Sequence, residues 1–133
     1  MRLPNNGTKI HQHPLATLWF DEDGILHKIS KNTPRTVENV TDLYSLIRRA
    51  THGKKVCAMI EVSHETASGA EVRKVLKKEI PKTFTAVALI TNTQIGQMVA
   101  TMTSVLTPVF VPTEVFKEEP EAEEWLKERI HLC

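Results

Sequence analysis

The sequence is short of the features that usually announce a chemistry. Only two cysteines, Cys57 and Cys133, occur in 133 residues. One sits inside an apolar run and the other is the last residue, so they are expected to stay unpaired and give no sign of an oxidising compartment. Aromatic residues make up only 5% of the chain. None interleaves with the basic cluster Arg73, Lys74, Lys77 and Lys78, which argues against a platform for single-stranded nucleic acid. The formal net charge is +1, too small for a whole-chain pull toward nucleic acid or membrane. No phosphate-cradling glycine loop and no nucleophile elbow is present, and no cofactor or metal site is expected. No charged-then-apolar leader opens the chain, so no signal peptide is expected and the protein reads as cytoplasmic. Charge is missing altogether from Thr83 to Thr113. Two prolines, three amides and several threonines interrupt that stretch, which excludes a membrane span.

What is present is a succession of short apolar runs and amphipathic stretches. Met1 to Pro14 has no apolar period and reads as a flexible N-terminal arm, with residues 15–133 as one domain. His11 and His13 could hold a metal only with a third ligand, and none is near in sequence. Ala16 to Phe20 and Gly24 to Ser30 read as two strands of a hairpin around Asp23-Gly24. His27, in the second of them, reads as a structural histidine, with no carboxylate at a spacing that marks it as a base.

Thr36 to Thr51 reads as a helix. Thr36 is its N-cap, Val37, Val40, Leu43 and Ile47 recur at helical spacing, and Gly53 follows the end. Val56 to Val62 is an apolar strand buried on both faces. After a short polar loop, Ser68-Gly69-Ala70-Glu71 has the form of a capping box, so Ser68 is expected to cap a helix over Gly69 to Glu79. Phe84 to Thr91 is a further buried strand. Thr93 to Leu106 reads as a helix, Pro108 to Val111 as a short strand ended by Pro112, and a last helix follows with Pro120 in its first turn. The outer face of the Thr93–Leu106 helix, with Gln94, Gln97, Thr101 and Ser104, is neutral and small. Since charge is depleted in interface cores, this face is expected to pair in a homodimer or to dock a partner.

The order strand, strand, helix, strand, helix, strand, helix, strand, helix predicts an α/β domain with a mostly parallel sheet and an N-terminal antiparallel hairpin. With LWFDEDGILHKI, IEVSHETASGAEVR, TAVALIT and VPTEVFKEEPEAEEWLK in that order, the chain resembles the STAS fold of anti-sigma factor antagonists, in particular the small SpoIIAA-like bacterial proteins. The resemblance implies a small mixed sheet with helices mainly on one side. It also implies protein–protein regulation rather than catalysis. In the anti-sigma antagonists a Ser followed by Gly at the start of the helix after the third strand is phosphorylated by a partner kinase, and Ser68-Gly69 resembles that position. Thr66 stands where the family's motif has Asp, and the loop is shorter. Ser63, His64, Thr66, Ser68 and Gly69 are therefore the candidate phosphorylation or partner-binding residues. Two alternatives remain at this point. One is a carrier holding an apolar ligand under the sheet, in a cavity of roughly a few hundred Å³. The other is an enzyme using His64 with Glu65 or Glu61 as acid and base.

Overall fold

The structure, a computed structural model, describes Pro4 and residues 7–62, 68–94 and 111–130. Its elements are β1 (His11–His13), β2 (Ala16–Phe20), β3 (Leu26–Ser30), α1 (Val37–Ala50), β4 (Val56–Glu61), α2 (Ala70–Thr83), β5 (Phe84–Ile90), β6 (Thr113–Phe116) and α3 (Glu119–Lys127). The six strands form one sheet in the order β1-β2-β3-β4-β5-β6. β1, β2 and β3 run antiparallel, and β3 through β6 are parallel. This is the mixed, mostly parallel sheet that the element order implies.

Side-chain alternation divides the sheet into two faces. Ala58, Ile60, Val62, Val87 and Leu89 pack with Val40, Leu43, Tyr44 and Ile47 of α1 and with Val72 and Ile80 of α2. Cys57, Met59, Ala86, Ala88 and Ile90 face the other way and are covered by Ala122 and Leu126 of α3. Both faces being covered is why β4 and β5 are apolar throughout.

The hairpin closes as expected. Gly24, at φ +79, takes the left-handed conformation that the turn needs, and Gly24 N donates to Asp21 O at 3.1 Å. At α1 the cap is a reciprocal pair. Asn39 N donates to Thr36 Oγ1 at 3.1 Å, and Thr36 N donates to Asn39 Oδ1 at 2.8 Å. Past the end, Gly53 at φ +78 donates its N–H to Arg48 O at 2.9 Å.

Four expectations need correction. His11–His13 is not a free arm but an edge strand, and buried His13 holds Asp42 through Nε2 at 2.8 Å. Cys57 is not a free thiol: it is disulfide-bonded, while Cys133 lies outside the described residues. Ser68 does not cap α2. The helix starts one residue later, with Gly69 at the N-cap and no side-chain cap bond. α2 also runs through Pro81 to Thr83. A proline there removes only the bond to the carbonyl of Lys77, an exposed residue that water can serve. The strand expected over Pro108 to Val111 lies, except for Val111, outside the described residues; the last described strand is Thr113–Phe116, after Pro112. Pro112 needs no N–H there, because its carbonyl accepts from Val87 N at 2.9 Å.

These two helix starts make a paired prediction. Thr36→Ala is expected to cost about 1 kcal/mol of unfolding free energy, because it removes a cap. Ser68→Ala is expected to cost less than half of that, since the residue caps nothing. Urea unfolding of the two variants checks this, and equal losses would contradict it.

Candidate functional site

The loops after β3 and β4 leave the sheet at its carboxyl edge, where ligands and partners meet open α/β sheets. They bring the starts of α1 and α2 together. Between them lies an open groove of about 590 Å³, walled by Thr36, Val37 and Glu38 on one side and Gly69, Ala70 and Glu71 on the other. Val37 is 37% exposed and is one of two exposed large hydrophobic residues among those described.

Arg35 anchors this region. Its Nη1 donates to Ser68 Oγ at 3.1 Å. Arg73, one turn into α2, donates from Nη1 to the Ser68 carbonyl at 2.7 Å. Ser68 is thus half-buried between two guanidinium groups, next to Gly69 and Arg35 of the groove wall. Among the expected site residues, Ser68 and Gly69 are placed here. Ser63, His64 and Thr66 lie outside the described residues, as do Gln97, Thr101 and Ser104. Gln94 is exposed. Lys74, Lys77 and Lys78 are exposed along α2, a solvated face.

Behind Arg35, under the sheet, is a feature that the sequence did not advertise. Lys28 of β3 points to the α1/α2 side and is only 6% exposed. It pairs across the strands with Leu18 and Ile60, both apolar. With Arg35 and Tyr44 it lines a cavity of about 50 Å³, whose other walls include Ile60, Ile80 and Leu89. A carrier of an apolar ligand would need a volume several times larger. No carboxylate among the described residues forms an ion pair with Lys28. Burial, with Arg35 adding repulsion, lowers the Lys28 amine to about 7. Burial also lowers Arg35 from its usual value, against the pull of Tyr44. Tyr44 is raised, chiefly by burial. Glu79, the nearest buried carboxylate on α2, is engaged by Arg48 of α1 instead.

A histidine–carboxylate pair occupies the hairpin. His27 Nε2 lies 2.8 Å from Asp21 Oδ2, and Trp19 stacks on the ring at 5.3 Å. The spacing argument missed it, because the turn folds residue 21 back against residue 27. Burial tends to raise the Asp21 carboxyl, but bonds from His27 and from the Ile25 and Asp23 amides prevail and hold it below its ordinary value. His27 Nδ1 is buried without a partner. Neither this pair nor His13–Asp42 lines the cavity or the groove. Among the described residues no three histidine, cysteine or acidic side chains converge as a metal site. None of the described helices is long and apolar enough to cross a membrane.

Residues 18–130 match the family model of a domain of unknown function, DUF7793. No curated protein matches the chain. Among solved structures the chain is similar to an uncharacterized protein of the DUF3478 family with a SpoIIAA-like fold, from Shewanella loihica PV-4. The two share 18% identity and a TM-score of 0.61, over 99% of this chain and 100% of that one. At that identity the likeness carries the fold, which is SpoIIAA-like, and not a function.

Proposed function

We propose, from the premise that the chain belongs to the DUF7793 family, that it is a non-enzymatic regulatory module. In this reading it binds a protein partner in the groove between the starts of α1 and α2. The observation that carries the reading is the groove itself, where two helix starts flank exposed Val37. Helix N-termini offer hydrogen-bond donors and the positive end of the dipole, so polar or acidic groups of a partner segment are matched there. Val37 adds an apolar contact at the centre.

Ser68 is the proposed switch within this reading. Its Oγ already accepts from Arg35. A phosphoryl group on that oxygen would lie beside a guanidinium and the α2 amides, which favour a dianion. About two negative charges beside the groove wall would then repel an acidic partner segment.

Site-specific photocrosslinking in the native host tests the proposal. A photoreactive residue at Val37 or Glu71 is expected to give one discrete protein adduct, identified by mass spectrometry and reduced in a Ser68→Glu background. The same residue at Glu124, on α3, is expected to give none. Adducts absent from the groove, or equal at Glu124, would overturn the reading.

A further inference from the structure

α1 and α2 both start at the groove and run back to the amino edge of the sheet, since each joins two parallel strands. Near their ends the helices lie side by side, where Arg48 of α1 holds Glu79 of α2. This end of the helix layer is crowded with cations. Arg49 closes α1, Lys54 and Lys55 lead into β4, and Lys77, Lys78 and Lys82 occupy the last two turns of α2. All six are exposed. From Arg48 to Lys55 and from Val72 to Thr83 the sequence has one carboxylate, Glu79, and it is buried against Arg48. The exposed acids Glu22 and Asp23 sit in the β2–β3 turn at the same sheet edge, two strands from the start of β5. They lie toward Lys54 and Lys55 rather than toward the α2 lysines.

The helix dipole accounts for only part of this. Its negative end attracts a cation within the last turn, which covers Arg49 and Lys82. Lys77 and Lys78 lie a turn further back, and Lys54 and Lys55 lie beyond the end of α1. The formal net charge of +1 hides the cluster, because balancing acids are held elsewhere. Glu121, Glu124 and Glu128 are exposed on or just after α3, which covers the opposite face of the sheet.

How the cluster is made sets what it fits. Exposed pairs of single charges are worth little, so the scattered acids of a folded protein gain little from it. A dense anionic surface gains from every cation at once, and each lysine near an anionic leaflet strengthens adsorption by roughly fivefold. Five of the six cations are lysines, point charges without the fork of arginine. The helices end here, so neither offers the amide cradle that holds a discrete phosphate. No aromatic residue stands between Arg48 and Lys55 or between Val72 and Thr83 to stack on a base. Among the described residues the exposed large hydrophobics are Ile10 and Val37, both outside the cluster, so contact is by charge and not by insertion.

We propose that the amino-edge ends of α1 and α2 are a docking surface for an anionic lipid bilayer, on which the protein adsorbs through Arg49, Lys54, Lys55, Lys77, Lys78 and Lys82. Acidic α3, behind the sheet, is held off the lipid. The groove between the helix starts lies roughly 20 Å away, the length of a 14-residue helix, and stays open to a partner. The lipid surface therefore does not depend on what the groove binds.

Co-sedimentation of the full chain with vesicles tests the proposal, using phosphatidylcholine alone and phosphatidylcholine mixed with phosphatidylglycerol. At about 0.1 M salt the protein is expected to pellet with the mixed vesicles and not with the neutral ones. At about 1 M salt, where the Debye length falls to roughly 3 Å, it is expected to stay in solution. The double variant Lys77→Glu, Lys78→Glu changes exposed positions only, is expected to keep its circular dichroism and thermal melt, and should bind the mixed vesicles at least about tenfold more weakly. Val37→Ser, in the groove, should bind them as the parent does, which separates this surface from the groove. Four results would each overturn the proposal: no pelleting with the mixed vesicles; equal pelleting with neutral ones; binding unchanged by the double reversal; or tighter binding to random-sequence duplex DNA than to the mixed vesicles at equal salt and equal phosphate concentration.

Discussion

Lys28→Met is expected to make the protein more stable, by about 1–4 kcal/mol at neutral pH, the range found when buried charges give way to apolar side chains of similar size. The reason is the direction of its shift. The amine falls from its ordinary 10.5 to about 7 in the folded state. Below pH 7 the ammonium is present folded and unfolded, and the folded state carries the whole cost of burying it. Between pH 7 and 10.5 the unfolded chain holds a proton that the folded chain has released, so stability rises with pH. The slope in that window is about 1.4 kcal/mol per pH unit for one proton. Above 10.5 both states are neutral and the slope vanishes. Urea unfolding of both proteins at pH 6, 8 and 9.5 measures the difference, in which groups common to the two cancel. The advantage of the methionine variant is expected to be largest at pH 6 and to shrink at each step upward. An advantage constant with pH would mean that Lys28 is not buried as described.

The largest loss is expected from Phe84→Ala, about 3–5 kcal/mol of unfolding free energy, or a fall in Tm of roughly 10 °C or more. Phe84 starts β5, is 2% exposed and meets Tyr44 edge to face at 5.9 Å. It also forms part of the wall of the Lys28 cavity. Removing the ring therefore joins a new void to an existing one, and the neighbours on β4 and β5 are too rigidly paired to collapse into it. Phe84→Leu keeps most of the volume and is expected to lose much less. A loss below about 1 kcal/mol for the alanine variant would place the ring outside the tightly packed core.

Much of the architecture was legible because local and global demands agree along most of the chain. At α1 the Thr36 cap, the stripe from Val37 to Ile47 and Gly53 all specify the same 14-residue helix. β4 and β5 announced themselves as continuous apolar runs, since both of their faces are covered. β1 could not be read that way. A three-residue edge strand bonded on one side needs no apolar period, and His-Gln-His has none. The start of α2 misled because Ser68 and Glu71 have capping-box spacing, while Arg35, distant in sequence, draws the serine side chain away.

The site was less legible than the fold, for a related reason. In Leu-His-Lys-Ile-Ser nothing at the level of sequence sets Lys28 apart from a solvated lysine. In the structure β3 lies between β2 and β4 with a helical layer above it, so the polar position is closed in. No local rule marks a lysine that tertiary packing will bury. The Asp21–His27 pair is likewise made by a turn that periodicity does not count. The local role expected of Ser68 does not hold, since the serine meets Arg35 instead of capping α2.

The spatial order of the six strands repeats their order along the chain. Among the described residues each strand hydrogen-bonds to the one made just before it, and none slots between two that came earlier. A nascent chain leaving the ribosome can therefore lengthen the sheet at one growing edge. Completed strands never have to part to admit a later arrival. The unpaired edge moves forward with synthesis until β6 ends it, and the amino-terminal edge is occupied from the start by three-residue β1. Short strands at both borders give another chain little backbone to pair with, so the protein is shielded from edge-to-edge association at the moment when it is most open to it.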